Sequence, residues 1–390
     1  MLRFVTAGES HGETLVATVS GMPAGVPVDL ERVNRDLWRR QQGYGRGGRM
    51  KIETDKAHVV SGVRHGKTIG SPIAVLIRNR DWKNWTTTLP VEDFDDSSEH
   101  ARPVNRPRPG HADLAGCIKY NYPEARYILE RASARETAAR VAAGGFAKLL
   151  LREFGIQVLS HVVAVGDVEL ERPVTWEELE ALAAKDDVLL NCVDPDTEQR
   201  MKAEVDDAYG TGDTRGGVFE VVVRGAPPGL GSHTSWDSKL DGRLAQAIVS
   251  MQAVKGVEVG AAATAAASPG SKVQDTIHYD KGARRFFRGS NNAGGLEGGI
   301  TNGQDVVVRG YLKPISTLRR PLESVDLPTR EPASAAYERS DVAVVPAAGV
   351  IGESMVALTI ANAFLEKFGG DSLVEVRRNH EGYADQVRRF

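Results

Sequence analysis

The sequence predicts a fold of the α/β or α+β class, in one extended domain with much antiparallel sheet. Short β-branched runs alternate with longer amphipathic segments, without the strict strand–helix–strand rhythm of a parallel sheet. No heptad, short-period repeat or low-complexity linker divides the chain. The 390 residues, 41% hydrophobic and 26% charged, suffice for one large core.

In the first third of the chain, two strands flank a glycine-containing loop and a helix follows them. Asp29 is a plausible N-cap for a helix that runs to about Gln42 and is ended by the glycine cluster 43–49. Residues 79–113 form a long charged, proline-rich loop, and loops of this length are typically functional or flexible. Strands are predicted at 2–7, 15–19, 57–63 and 73–77.

The rest of the chain alternates helices with strands. Ser133 and Glu136 form a capping-box pattern that opens an alanine-rich helix to about Phe154, where small side chains permit close packing. The final basic segment is expected to be a tail or a short docking element. Further helices are predicted at 175–184, 197–208, 238–253 and 353–368, and strands at 157–165, 218–223 and 305–312.

Composition narrows the class of protein. A net charge of −3 gives no basic field of the kind that binds nucleic acid non-specifically. No run approaches about 18 strongly apolar residues, and the N-terminus has no signal-peptide core, so no membrane association is expected. Cys117 and Cys192 form no CxxC pair, which favours a reducing, cytoplasmic location.

Two histidines lie in glycine-containing polar loops. His11 lies in Gly-Glu-Ser-His-Gly at 8–12, and His111 follows Arg-Pro-Arg-Pro-Gly at 106–110. Histidine exchanges protons near neutral pH, and neighbouring glycines let a backbone approach a ligand closely. Both histidines are therefore candidates for acid–base chemistry, with a structural loop histidine as the alternative for His111.

A very glycine-rich segment occupies residues 289–303. It could expose backbone N–H groups as a phosphate or cofactor cradle, or it could be a mobile surface loop, and its composition leaves both open. It lacks the Gly-Lys-Ser/Thr of a Walker A loop and the strand–GxGxxG–helix unit of a Rossmann fold.

Arginines gather near the glycine-rich loops. Arg40, Arg46 and Arg49 flank the cluster 43–49, and Arg131 and Arg135 bracket the helix start at residue 133. Any one of them could simply be solvated, but together they could hold a small molecule with two or three negative charges.

Other site types fit poorly. The sequence has no HExxH, no paired His/Cys spacing and no EF-hand loop, so no metal site is expected. Residues 8–12 match the bare Gly-x-Ser-x-Gly pattern of a serine hydrolase with Ser10 as nucleophile. That motif requires a helix after the turn, and the sequence that follows is strand-like.

Seven ordered motifs closely resemble chorismate synthase over nearly the whole chain. They lie at residues 8–12, 108–113, 131–144, 251–260, 290–304, 312–317 and 337–350. The resemblance implies a lyase that eliminates phosphate and a ring proton from 5-enolpyruvylshikimate 3-phosphate to give chorismate, with reduced FMN as cofactor. It also implies a β-α-β sandwich with helices packed between antiparallel sheets, and a homotetramer.

The resemblance assigns catalytic roles to three residues. His11 matches the histidine that protonates the departing phosphate, and His111 the one that protonates the reduced flavin. Asp341 matches the aspartate that removes the ring proton together with the flavin. A non-catalytic flavin- or nucleotide-binding protein would not require these three groups, which favours the enzyme. Ser340 stands where many members carry His, so it receives no catalytic role.

The resemblance also implies binding residues. Arg40 and Arg46 match contacts of a reduced pyridine nucleotide, although they could equally hold the anionic groups of the substrate. Without a Rossmann unit or an appended domain, we expect a monofunctional enzyme supplied by an external flavin reductase. Expected FMN contacts are Arg131, Ala132, Ser133, Gln252, Ala253, Gly298, Lys313, Pro314, Ile315, Ser316, Thr317 and Arg339. Expected substrate contacts are Ser10, Arg49, Arg108 and Arg135.

Overall fold

A computed structural model describes residues 1–46, 54–92, 102–338 and 341–390. The strands are β1 Arg3–Ala7, β2 Thr14–Ser20, β3 His58–Ser61, β4 Val63–Arg64, β5 Lys67–Thr68, β6 Ile73–Arg78, β7 Gln157–Val165, β8 Val168–Glu169, β9 Gly217–Arg224, β10 Val254–Val259, β11 Ile277–Asp280, β12 Arg285–Arg288, β13 Leu296–Glu297, β14 Ile300–Thr301, β15 Val306–Leu312, β16 Glu323–Val325 and β17 Pro332–Ser334. The helices are α1 Leu30–Gln41, α2 Asp113–Tyr120, α3 Arg126–Ala132, α4 Thr137–Arg152, α5 Trp176–Ala184, α6 Pro195–Thr211, α7 Leu240–Val249, α8 Ala262–Ala266, α9 Gly270–Val273, α10 Val345–Phe368 and α11 Leu373–Arg389.

Two antiparallel sheets enclose a layer of helices. The first sheet has the order β1-β2-β6-β3 and the second the order β10-β15-β9-β7-β8. Helix α4 packs on β2 and β6, α10 packs on β7 and β9, and the two helices pack on each other. The predicted α+β sandwich, with helices between antiparallel sheets, is confirmed.

A glycine sets the spacing between the two central helices. A Cβ atom on Gly144 of α4 would lie 2.3 Å from the Cβ of Ser354 on α10. No real side chain fits at that distance, so the helices approach closely only because position 144 lacks one. This confirms the close packing expected of the alanine-rich helix.

A buried ion network ties the helical layer together. Glu353 of α10 accepts hydrogen bonds from Arg39 (2.7 and 2.8 Å), Lys148 (2.6 Å) and Ser160 (2.7 Å). Burial raises the pKa of this carboxyl, but the two cations outweigh burial and lower it to about 2. The charged Glu353 thus joins α1, α4 and β7 at the centre of the domain.

Several predicted elements are confirmed with small changes. Asp29 caps α1 by accepting from the backbone N–H groups of Glu31 and Arg32. The predicted helices at 175–184 and 197–208 correspond to α5 and to the longer α6, and the predicted strands at 157–165, 218–223 and 305–312 correspond to β7, β9 and β15.

Three predictions of element bounds were wrong. The helix expected from Ser133 is interrupted, because Ser133 is extended and caps only a single turn, 134–136, before α4. The helix expected to reach residue 253 ends at Val249, and β10 begins at Val254. The helix expected to start at 353 begins at Val345.

Of the two expectations for the final basic segment, a tail or a short docking element, the tail was wrong, because residues 373–389 form helix α11. Ser372 and Glu375 build a capping box at its start. Only Val376 of this helix is fully buried, so its sequence carries a weak apolar pattern.

Helix α10 is long and apolar enough to span a membrane by length and composition, with a mean hydropathy of 1.5 over its most apolar window. In that window 89% of the residues are buried inside the protein, between α4 and the second sheet. Its apolar character therefore matches a central core helix.

Candidate active site

His11 lies in the loop between β1 and β2 and is held by α3. Its backbone N–H donates to Oε2 of Glu130 (2.8 Å), and its ring Nδ1 lies 2.9 Å from Oε1 of the same carboxylate. The backbone N–H of the buried Ser10 donates to the carbonyl oxygen of Glu130 (2.9 Å). Burial raises the pKa of Glu130, but its interactions with His11 lower it overall. An ionised Glu130 therefore orients both the loop and the imidazole.

The indole of Trp85 stacks on the ring of His11. Their centroids are 3.8 Å apart and the two planes are inclined by 22°. The guanidinium carbons of Arg102 and Arg126 lie 4.4 and 5.4 Å from the centroid of the same indole. The side chain of His11 is 15% exposed, so the imidazole is largely buried but still reaches the protein surface.

Arg135 joins the His11 loop to a buried polar unit. Its Nη1 donates to Asp55 (2.6 Å), and its Nε and Nη2 donate to Oδ1 of Asn79 (3.0 and 2.8 Å). The amide of Asn79 donates in turn to the carbonyl oxygen of Gly12. Arg135 lies in the turn that opens α4, where the helix dipole also favours negative charge.

Arg40 and Arg46 lie near Arg135, and Asp341 joins them. Nη2 of Arg40 is 3.8 Å from Asp55, and Nη1 of Arg46 is 3.1 Å from Asp341. Burial lowers the pKa of Arg40 to about 10; Arg135 and Arg46 add to that shift and Asp55 opposes it. Within the described ranges, Nε and Nη2 of Arg40 have no hydrogen-bond partner. A buried cation with unused donors is well suited to bind an anion.

His111 forms a second oriented imidazole. Its Nδ1 lies 2.5 Å from Oδ1 of Asp113, and Nη2 of Arg108 is 3.1 Å from the same nitrogen. Arg108 also donates to Asp113 through Nε (2.8 Å) and to the hydroxyl of Thr317 through Nη1 (3.0 Å). Asp113 is fully buried, and His111 and Arg108 outweigh burial and hold its pKa well below the usual range.

The predicted cofactor residues fall in two connected groups, and Arg131 belongs to the first. Arg131 donates to the carbonyl oxygens of Gly8 (3.0 Å) and Thr6 (2.9 Å). The hydroxyl of Thr6 donates to Glu136 (2.6 Å), which also accepts from the amide of Gln252 (3.2 Å). Ala132 ends α3 and Ser133 follows it as the cap of the next turn.

The second group lies where β10 and β15 meet. The backbone N–H of Lys313 donates to the carbonyl oxygen of Ala253 (3.0 Å), and its Nζ donates to Ser316 (2.8 Å). Gly110, with φ of +76°, brings the His111 loop here: a Cβ on it would lie 3.3 Å from Oγ of Ser316 and 3.5 Å from Nζ of Lys313. The carbonyl oxygen of Ile315 accepts from Thr214. Pro314 lies between Lys313 and Ile315 in the same segment.

Gly298 is not brought together with the other predicted cofactor residues in this chain. It lies in the turn between β13 and β14, where the next residue, Gly299, accepts a hydrogen bond from the backbone of Leu240 at the start of α7. Gln252 follows the other end of α7, and a ten-residue helix is about 15 Å long. Arg49 and Arg339 lie outside the described residues, as does Ser340.

The glycine-rich segment uses its own backbone donors. The N–H groups of Asn292 and Ala293 donate to Asp275, and that of Gly295 donates to the side chain of Asn291. These donors are therefore engaged within the protein, which argues against a phosphate cradle at this part of the segment.

The side chains at the site that were not predicted include Trp85, Asn79, Asp113 and Glu130. Asp113 lies two residues after His111 inside the motif 108–113, so it could have been considered as the partner of that histidine. Trp85 and Asn79 lie in the long loop, 79–113, that was predicted to be functional or flexible. Glu130 is 119 residues from His11 in the sequence, and no local pattern connects them.

The described residues show no group of three His, Cys, Asp or Glu side chains suited to a metal ion. A groove of about 780 Å³ lies on the second sheet, beside Trp176, Arg224 and Arg309, and none of the predicted site residues lines it. We place the candidate site at the histidines because their partners are buried and charged.

Comparisons with known proteins agree with the sequence motifs. A family model described as chorismate synthase matches residues 2–365. Proteins named chorismate synthase from Solibacter usitatus and Koribacter versatilis are 73% and 65% identical, each over the full length of both chains. A solved structure titled as the crystal structure of chorismate synthase is 42% identical and covers 100% of this chain and 99% of its own, with a TM-score of 0.79.

Proposed function

Because this chain belongs to the chorismate synthase family, we propose that it removes phosphate and a ring proton from 5-enolpyruvylshikimate 3-phosphate to give chorismate. It is a lyase of the last step of the shikimate pathway. The observation that carries the residue assignment is the meeting of His11, with its ionised partner Glu130, and a buried group of arginines in one hydrogen-bonded unit.

We assign the protonation of the leaving phosphate to His11. When the C–O bond breaks, the phosphate leaves with the bonding electron pair, and an imidazolium can supply a proton to the departing oxygen. Glu130 engages Nδ1, so the proton-transfer role falls to Nε2. The carbonyl oxygen of Gly12, next to His11, accepts from Asn79, which in turn accepts from Arg135, and this link supports a role for the arginine in neutralising the phosphate.

We assign the removal of the ring proton to Asp341. The C–H bond at the other end of the allylic system breaks, its electron pair forms the new double bond, and the proton leaves with a base. A carboxylate is a base, and Arg46 holds Asp341 at 3.1 Å beside the buried Arg40. Arg40, Arg135 and Arg108 would bind the phosphate and the two carboxylates of the substrate.

The residues present fit a flavin mononucleotide. The amide Oε1 of Gln252 is buried and has no hydrogen-bond partner among the described residues, so it can accept from a ring N–H. Arg131, whose side chain is 43% exposed, and the partly buried Lys313 can bind a phosphate. When bound, reduced FMN supplies an electron-rich ring that assists the loss of phosphate without net oxidation. His111, oriented by Asp113, would hold a proton next to it.

We propose further properties that follow from the family. The chain acts as a single domain, which is supported by one hydrophobic cluster that spans both sheets. It acts in the cytoplasm. It is monofunctional and receives its reduced flavin from an external reductase. It assembles as a homotetramer, supported by exposed aromatic side chains on β11 and β12, including Tyr279 and Phe286. Sedimentation analysis would test the assembly.

Anaerobic turnover tests the proposed function. Purified protein, chemically reduced FMN and 5-enolpyruvylshikimate 3-phosphate should yield chorismate and inorganic phosphate in equal amounts. Oxidised FMN with no reductant is the control and should give neither product. A protein that binds FMN yet releases no phosphate would be a binding protein instead, and phosphonate labelling of Ser10 with flavin-independent hydrolysis would indicate a serine hydrolase.

A further inference from the structure

We propose that Glu130 and Trp85 are positioning residues for the acid His11, Glu130 through its charge and Trp85 through its stacked ring. The inference rests on the proposed function, because it assumes that His11 protonates the leaving phosphate. Neither residue needs to touch the substrate for this role. Each fixes a different degree of freedom of the imidazole, and the contacts that do so are short and buried.

Glu130 fixes the rotation and the protonated nitrogen of the ring. Its carboxylate receives both the backbone N–H of His11 at 2.8 Å and Nδ1 at 2.9 Å, so the main chain and the side chain are anchored to one group. With Nδ1 carrying a proton toward a carboxylate, an acidic proton on Nε2 requires the imidazolium. A fully buried anion at Nδ1 stabilises that cation.

Trp85 fixes the plane of the ring. Rings 3.8 Å apart and inclined by only 22° restrict tilting of the imidazole. The indole is itself anchored, because its Nε1 donates to Asp81 at 2.9 Å and Arg102 lies 4.4 Å from its centroid. These contacts hold the indole of Trp85 in place, so the ring of His11 packs against a fixed aromatic face.

The chain contains a matched control for the charge of Glu130. His161 and Glu220 form another buried histidine–carboxylate pair, with Nε2 and Oε1 3.0 Å apart, on β7 and β9 of the second sheet. Glu220→Gln removes an equivalent charge from an equivalent contact away from the site. Any general cost of breaking a buried pair should therefore appear in both variants.

The test is the separate effect on kcat and KM, measured with reduced FMN under anaerobic conditions. Glu130→Gln should lower kcat by about 10- to 100-fold with KM for the substrate within about threefold of wild type, because the imidazole loses its orienting charge while the substrate contacts stay in place. Glu220→Gln should leave both values unchanged.

Substitutions of Trp85 test the stacking independently of the charge. Trp85→Leu should lower kcat by about 10-fold, and Trp85→Phe, which restores an aromatic face, should recover most of that loss. Circular dichroism and binding of reduced FMN confirm that each variant is folded. These two variants keep the proposal testable if Glu130→Gln does not fold.

The outcomes separate this proposal from the proposed function. If wild-type protein makes no chorismate, the proposed function fails. If wild type is active but folded Glu130→Gln keeps its kcat, or loses kcat no more than Glu220→Gln does, the role of Glu130 is overturned. If Trp85→Leu and Trp85→Phe have the same rate as wild type, the role of Trp85 is overturned.

Discussion

The carboxylate of Asp113 holds the imidazole of His111 by a hydrogen bond to Nδ1, and both side chains share the guanidinium of Arg108. The three residues lie within six positions of one another in a loop that leads into α2. A short local segment thus builds a hydrogen-bonded cluster of a histidine, a carboxylate and an arginine, unlike the His11 cluster, which draws on distant parts of the chain.

The Asp113 cluster predicts a specific loss of stability in acid. Although burial raises the pKa of Asp113, His111 and Arg108 depress it overall, so the group stabilises the fold above its unfolded pKa of about 3.9. That contribution is lost as the pH falls below about 4 toward the depressed value. Asp113→Asn should lower the free energy of unfolding by about 3 kcal/mol at neutral pH, and the deficit should shrink below about pH 4. Denaturant titrations over that pH range measure it, and equal deficits at neutral and acidic pH would contradict it.

Removing the acid should separate binding from turnover. His11→Ala should bind reduced FMN normally, since the side-chain contacts described above for His11 are with Glu130 and Trp85, but lose about 10²- to 10⁴-fold in kcat. Fluorescence titration with FMN and anaerobic phosphate release measure the two quantities. A parallel loss of flavin binding and rate would show that the assigned role is wrong. His161→Ala is a buried histidine control for the cost of the substitution.

Arg40 is expected to favour ligand binding at the expense of stability. Its buried Nε and Nη2 have no hydrogen-bond partners in the described part of the chain, and the nearest carboxylate, Asp55, is 3.8 Å from Nη2. Arg40→Met should therefore raise the free energy of unfolding of ligand-free protein by about 1 kcal/mol or more, while KM for the substrate rises by about 30-fold or more. Thermal unfolding and steady-state kinetics give the two values.

The neighbouring Arg39 provides the opposite case. It is equally buried but pairs with Glu353 through two hydrogen bonds. Arg39→Met should lower the free energy of unfolding by about 3–5 kcal/mol, because it leaves a buried carboxylate with one partner fewer. If the two variants shift stability in the same direction, the anion-binding interpretation of Arg40 is refuted.

Two helical glycines should respond to alanine with opposite signs. Gly144→Ala would place a methyl group 2.3 Å from Ser354 and should destabilise the fold by about 1–3 kcal/mol. Gly242 in α7 has nothing within 4 Å of the same position, so Gly242→Ala should stabilise by about 0.5–1 kcal/mol. Urea unfolding of both variants distinguishes local crowding from a general effect of alanine.

The sequence predicts most where the chemistry of a side chain and a local pattern coincide. His11 and His111 were selected as candidate site residues because histidines in glycine-containing loops are unusual, and Asp29 was correctly identified as the N-cap of α1. Glu130 was missed because its partner is remote in the sequence. The burial of Arg40 could not be predicted either, since a solvated arginine and a buried arginine look alike in a single sequence.

Errors in the predicted elements have similar physical causes. The helical pattern through Gln252 continues past Val249, but Ala253 takes a positive φ of 67° and the chain turns into β10. Helix α11 was missed because burial of essentially one residue, Val376, leaves little periodic signal. In both places tertiary contacts determine the outcome more than local preference.

The contact of Gly144 with Ser354 has a consequence for engineering. Helix α4 begins directly after Arg135 and Glu136 and packs on the first sheet, whereas Gln252 and Lys313 flank strands β10 and β15 of the second sheet. A larger side chain at position 144 would have to push α4 away from α10, which packs on the second sheet. Libraries meant to retune the candidate site therefore gain two remote positions in the core, 144 and 354, at which the spacing between the two layers can be varied.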